Sequence, residues 1–170
     1  MWPNTARGSK RSVAPSPLAP WAAAEPSIVP ATSLREAIVA AILADTTCAN
    51  LVGTRVRPDR PAEKDLLPAI VCEIVSNERV HSLHGPAGVS RARVELATFA
   101  RTMREGFAGM NALRNLFDGF VGDLHGVMVL ECSLDEEADE NEYPQEGTDL
   151  GTYEVPIDFF FLYRESIPSS

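Results

Sequence analysis

The chain is poor in the residues that build covalent or metal-held scaffolds. It has three cysteines, Cys48, Cys72 and Cys132, an odd number with no CxxC pair. That excludes a disulfide framework and a paired-cysteine zinc site. Histidine is equally scarce, at His81, His84 and His125. No apolar run in the sequence reaches the ~18–20 residues that span a bilayer, so no membrane partner is expected. Basic charge is also short: 15 Lys and Arg against 24 Asp and Glu leave a formal charge of −9. Phosphate binding needs a concentrated basic surface, so nucleic acid is not a specific partner on this reading. GxSxG, P-loop and GxGxxG patterns are absent. No histidine stands at a motif spacing from a cysteine, and the thiols read as buried structural groups rather than nucleophiles. No catalytic residue, metal ligand or cofactor is expected.

What is present is unevenly distributed. The 170 residues suit one domain with an appendage, and 45% hydrophobic content is ordinary for a globular protein. Residues 1–33 hold six of the 13 prolines and carry +2, from Arg7, Lys10 and Arg11 against Glu25, so residues 34–170 carry −11. Proline at that density opposes helix and central strand alike, and the expectation is an extended arm on a globular domain. Three prolines interrupt Ser12 to Pro20, which argues against the apolar stretch of a signal peptide. Composition alone leaves two accounts of the arm. One is a solvated tail. The other is an interface strap anchored by Trp2 and Trp21, the two tryptophans of the chain.

The globular part reads as helix, strands, helix, strands. Ser33 and Glu36 form a capping box, and Leu34, Ile38, Ala41 and Ile42 recur at helical spacing to about Asp45. Cys48–Val52 adds one further turn, stopped at Gly53. Ala69–Ser76 is a strand that Glu78 to Ser82 either prolongs or folds back. His84 to Gly88 has turn chemistry. Val89 to Ala100 alternates, with Arg91, Arg93 and Glu95 facing one way and Ala92, Val94, Leu96 and Thr98 the other. A second helix is expected from Thr102 to Phe120, with Phe107, Met110, Leu113, Leu116, Phe117 and Phe120 as its apolar stripe. Val127–Leu134 and Tyr153–Arg164 complete the strands, and Pro156 points to an edge or a bulge in the last one. The sum is an α+β fold: a mainly antiparallel sheet with two helices packed on one face.

The strongest local anomaly is acidic. Asp135, Glu136, Glu137, Asp139, Glu140, Glu142, Glu146 and Asp149 fall in a stretch without a basic residue. An EF-hand fails, because the position that needs glycine is Glu140. A solvated hairpin tip accounts for the run, and an electrostatic contact with a basic partner is the alternative. Exposed turn positions account for His81 and His84, since nothing fixes them around a metal.

The order of these segments resembles the tail-completion, or tail-terminator, proteins of long-tailed phages and gene transfer agents. The resembling segments begin with Leu34-Arg35-Glu36-Ala37-Ile38, Leu51-Val52-Gly53-Thr54-Arg55-Val56 and Leu67-Pro68-Ala69-Ile70-Val71. Arg79 to Gly88, Arg91-Ala92-Arg93-Val94-Glu95-Leu96 and Leu116-Phe117-Asp118-Gly119-Phe120 follow. The series ends at Tyr143, Gly151-Thr152-Tyr153 and Ile157-Asp158-Phe159, and covers about residues 34–164. The resemblance implies a virion structural protein at the tail or neck, made in the host cytoplasm. Such subunits form a homo-oligomeric ring, usually of six, that caps the tail tube and joins it to the head-tail connector or stopper protein. DNA passes through the ring without specific binding. Residues 1–33 fall outside that pattern, so the arm inherits no role. The candidate interface residues are Trp2, Trp21, His81, His84, Asp135, Glu136, Glu137, Asp139 and Glu140. Two other classes stay open: another neck or head-completion adaptor, and a small metal-dependent enzyme using His81, His84 and the acidic run.

Overall fold

The computed structural model describes residues 33–58, 66–137 and 152–165. Within them lie three helices and six strands: α1 (Leu34–Ala44), α2 (Thr46–Val52), β1 (Val56–Arg57), β2 (Ala69–Ser82), β3 (Gly85–Ala100), α3 (Met103–Phe117), β4 (Gly122–Leu124), β5 (Val127–Glu137) and β6 (Tyr153–Arg164). The strands form one sheet in the order β1-β2-β3-β6-β5-β4. The β1–β2 pair is parallel and every other pair is antiparallel.

The helices start where capping chemistry places them. Ser33 Oγ accepts the Glu36 N–H at 3.3 Å, and Thr102 Oγ1 accepts that of Glu105 at 3.3 Å. Asp45 adopts extended backbone, ends α1 and caps α2, its Oδ1 accepting the Cys48 N–H at 2.8 Å. The further turn expected at Cys48–Val52 is therefore a separate helix, and the fold has three helices rather than two. The helix α3 stops at Phe117, earlier than the expected Phe120. Asp118 turns to φ −65°, ψ 120°, and Gly119, at φ +75°, donates its N–H to Cys132 O of β5 at 2.9 Å. That bond ties the helix end to the sheet.

Helices α1 and α3 cover one face of the sheet, and the core lies between. Alternation along β3 buries Ser90, Ala92, Val94, Leu96 and Thr98 completely, and β6 buries Val155, Ile157, Phe159, Phe161 and Tyr163 on the same side. Phe117 of α3 stands edge-on to Phe159 and Phe161, with ring centroids 5.9 and 5.7 Å away. Offset edge contacts of this kind add to the area that the rings bury. Two glycines let α3 lie this close. A Cβ on Gly109 would meet Thr98 Cγ2 at 2.5 Å, and one on Gly106 would meet Val155 Cγ2 at 2.6 Å.

Two expectations change at the strands. The turn falls at Leu83 and His84, so Gly85 to Gly88 already belong to β3, which pairs Ser82 with Gly85 and His81 with Pro86. Strand β6 is internal rather than an edge, with β3 on one side and β5 on the other. Pro156 is opposite Ala97 of β3, and the last described β5–β6 pair is its neighbour, Glu137–Ile157.

Replacing an interior helical glycine by alanine ordinarily gains up to ~1 kcal/mol. At Gly109 overpacking against buried Thr98 outweighs the gain, since neither side chain has room to move. Gly109→Ala should lower stability by about 1–3 kcal/mol in denaturant titration. Combining it with Thr98→Ala should recover part of the loss; a stabilised single variant would refute this packing.

Candidate assembly surfaces

Two surfaces stand apart from the core: the sheet face opposite the helices, and a hairpin that runs beyond the sheet. Neither carries a catalytic arrangement. Among the described residues no three His, Cys, Asp or Glu side chains converge to hold a metal ion. Burial pushes the thiols of Cys48, Cys72 and Cys132 up to about 12, which leaves them protonated at neutral pH. Neighbouring Asp45 adds to the rise at Cys48, and Asp118 and Glu131 add to it at Cys132.

The helix-free face carries a row of carboxylates across four strands. Register places Glu73 of β2 opposite Glu95 of β3, Glu95 opposite Asp158 of β6, and Asp158 opposite Glu136 of β5. Like charges directly opposite one another repel. Arg93 answers them from the neighbouring position: its Nε donates to Asp158 Oδ2 at 3.0 Å and lies 3.3 Å from Asp135 Oδ2, and its terminal nitrogen reaches Glu136 Oε2 at 3.6 Å. Glu95 pays for its place. Partial burial, then Asp158, then Glu73 push its carboxyl above the usual range, with Arg93 opposing them.

The described part of the acidic run is solvent-exposed, as expected of the run, but lies on a strand rather than at a hairpin tip. Asp135, Glu136 and Glu137 lie on β5, and each has a cationic partner, Glu137 being paired with Arg114 of α3. Those partners stand far away in the sequence. Asp139 and Glu140 lie outside the described residues, as do Trp2 and Trp21.

The hairpin of β2 and β3 continues past the last β6 pairing, Val89–Arg164, toward Leu83. Its root is fastened. Arg79 Nε and its terminal nitrogen bind Glu165 Oε2 and Oε1 at 2.8 and 3.0 Å, and Ser90 Oγ donates to Glu165 Oε2 at 2.8 Å. Asn77 Nδ2 donates to Tyr163 Oη at 3.0 Å, and the Glu165 N–H to Gly88 O at 3.0 Å. Beyond the root the side chains are exposed, and Leu83 at the tip is fully so. Val75 and Val80 sit at irregularities in the β2–β3 register and are exposed as well. Such bulges protect a sheet edge from indiscriminate pairing. His81 and His84 are exposed on this tip, with His81 Nδ1 3.1 Å from Arg79 O and the His84 N–H donating to Ser82 Oγ at 3.3 Å. The two histidines share the tip but lie apart from the acidic strand β5. Sequence reasoning passed over Leu83, whose signal was a lone leucine between the two histidines.

The opposite edge of the sheet has a counterpart. An apolar groove of about 670 Å³ lies between the C-terminal ends of α1 and α3 and the β4–β5 turn. Ala41, Ala44, Leu116, Phe120 and Leu124 form its apolar lining, and Asp45 and Asp123 stand in it. The turn itself is made by His125 and Gly126, both at positive φ (48° and 99°), with Asp123 Oδ1 accepting the Gly126 N–H at 3.1 Å.

Two outcomes test these surfaces. Arg79, then Ser90, hold the Glu165 carboxyl below the usual range, so its stabilisation is present above the ordinary carboxylate pKa and is lost as pH falls below it. Glu165→Ala should speed amide hydrogen exchange along residues 77–90 about 2–5-fold at neutral pH, the size expected of a solvent-screened ion pair, with the difference vanishing in acid. Conversely, Glu95→Gln should stabilise by roughly 0.2–1 kcal/mol at pH 7, the scale of a cross-strand charge pair. A raised carboxyl costs stability only while ionised, so that gain should disappear below about pH 4. A Glu95→Gln variant that melts lower at neutral pH would contradict the repulsive row.

No family model and no curated protein matches the chain. A solved structure does: a chain of the virion of a native gene transfer agent particle superposes with a TM-score of 0.62 at 13% sequence identity. The match covers 78% of this chain and 95% of that one, so the two share a fold over nearly the whole of the other chain.

Proposed function

We propose that this protein is a virion structural subunit of the tail-terminator kind, forming a ring that caps the tail tube and joins it to the head connector. The observation that carries the proposal is the fold shared with nearly the whole of a gene transfer agent virion chain. The ordered sequence resemblance independently favours the same class. Assembly, not chemistry, also suits a molecule whose thiols are buried and whose exposed features are a hairpin and a groove on opposite sheet edges.

A ring subunit needs two unlike complementary patches, because head-to-tail contacts are heterologous. In this ring the helix-free face, with Glu73, Glu95, Asp158 and Glu136, is assigned to the lumen. A carboxylate-lined wall repels the DNA phosphates and lets the duplex slide. Residues 1–33 serve as a strap to a neighbouring protein, with Trp2 and Trp21 as anchors.

Electron microscopy of the full chain mixed with completed tail tubes tests the assignment. The expected result is a closed ring seated at one tube end with the carboxylate row inward. A chain that stays monomeric and leaves tube ends bare would refute the role. A ring seated on the head connector alone would favour the neck-adaptor alternative, and a basic lumen would overturn the assignment of the sheet face.

A further inference from the structure

The hairpin tip and the apolar groove have features that fit each other, and they cannot meet within one subunit's sheet. The tip belongs to the β2–β3 side of the sheet; the groove abuts β4, the last strand at the other edge. We propose that the tip of one copy seats in the groove of the next, with Leu83 as the inserted side chain. This rests on the ring reading and names the contact that would close it.

Three observations carry it. Leu83 is a large aliphatic side chain 103% exposed at the end of a root-fastened hairpin. Ordering such a side chain in water gains nothing, whereas burying it removes apolar surface at about 25 cal/mol per Å². The groove has apolar walls and a volume of about 670 Å³, room for a leucine and its neighbours. The polar rims also match. Asp45 and Asp123 each commit one carboxylate oxygen to a backbone N–H, from Cys48 and Gly126. Their other oxygens can accept from the imidazoles of His81 and His84, which flank Leu83 on the tip. An exposed apolar side chain accompanies each place: Val80 on the hairpin, and Val121 beside Phe120 at the groove edge. Because tip and groove differ and occupy opposite edges, repeating the contact propagates head to tail, as a closed ring requires.

Cysteine cross-linking of the full-length protein tests the contact. The native cysteines are buried, which keeps the background low. Leu83→Cys and Ala44→Cys, made in separate chains and mixed, should give a cross-linked dimer under mild oxidation, at least tenfold above either variant alone. The two substitutions in one chain should give a ladder of multimers. Closed rings by microscopy without the cross-link would overturn the hairpin contact and leave the ring standing; absence of rings and of cross-links would take down both. Should Trp21→Cys link to Ala44→Cys instead, the N-terminal arm is the occupant and the proposal falls.

Discussion

The close approach of α3 to the sheet is the constraint on which the rest of the molecule depends. Gly106 and Gly109 remove the two side chains that would hold the helix away, and Val155 and Thr98 fill that space. Phe117 then reaches Phe159 and Phe161, and the backbone after it is bonded to Cys132 of β5. One helix thereby grips β3, β6 and β5 together. With one face filled in this way, the charged residues of those strands are left on the other. The two edges remain for whatever the molecule binds. Helix propensity is given up at two positions so that three strands share a single packing partner.

Much of this architecture was legible because its signals are local. Ser33 and Thr102 announce their helices within three residues. Alternation from Val89 to Leu96, and of aromatic and branched residues from Tyr153 to Tyr163, assigns both central strands and their helix-facing sides, while the burial of Ala97 and Phe99 on the other face breaks the pattern. The departures came where the deciding partner is remote. Pro156 looks like an edge residue until β3 and β5 are both seen to pair with its strand. Asp135 to Glu137 look like an unrelieved charge run because Arg93 and Arg114 answer them from β3 and α3. The turn was placed late because glycine and proline crowd Gly85 to Gly88. In the structure those residues lie on a strand already clear of β6, where a proline disturbs no ladder on that side. The groove had no sequence signal, since its walls come from two stretches far apart in the chain, residues 41–45 and 116–126.

The charged face shows how a sheet can carry repulsion without losing its register. A single guanidinium, Arg93, serves Asp158, Asp135 and Glu136 from one position, because its planar fork presents several donors at once. Its pull extends to Glu95 two residues along β3, but partial burial, Asp158 and Glu73 outweigh it and the Glu95 carboxyl stays raised. Arg35 of α1 lines the same small cleft as Glu73 and Glu95, and the Glu95 carboxyl is raised even so.

The same argument separates the two ends of the row in energetic character. At β5 and β6 the carboxylates are held in ion pairs that fix side-chain positions. At β2 and β3 they stand in register with each other and keep their field. On the proposed lumenal assignment, a surface built this way would be rigid where the strands must stay aligned and repulsive toward a polyanion. The hairpin and the groove lie outside this field, at the two sheet edges, where burial of Leu83 would not require desolvating the row. In the proposed ring, separating an apolar, edge-to-edge contact from an acidic face would let one small sheet hold a neighbour tightly while holding nothing on its open side.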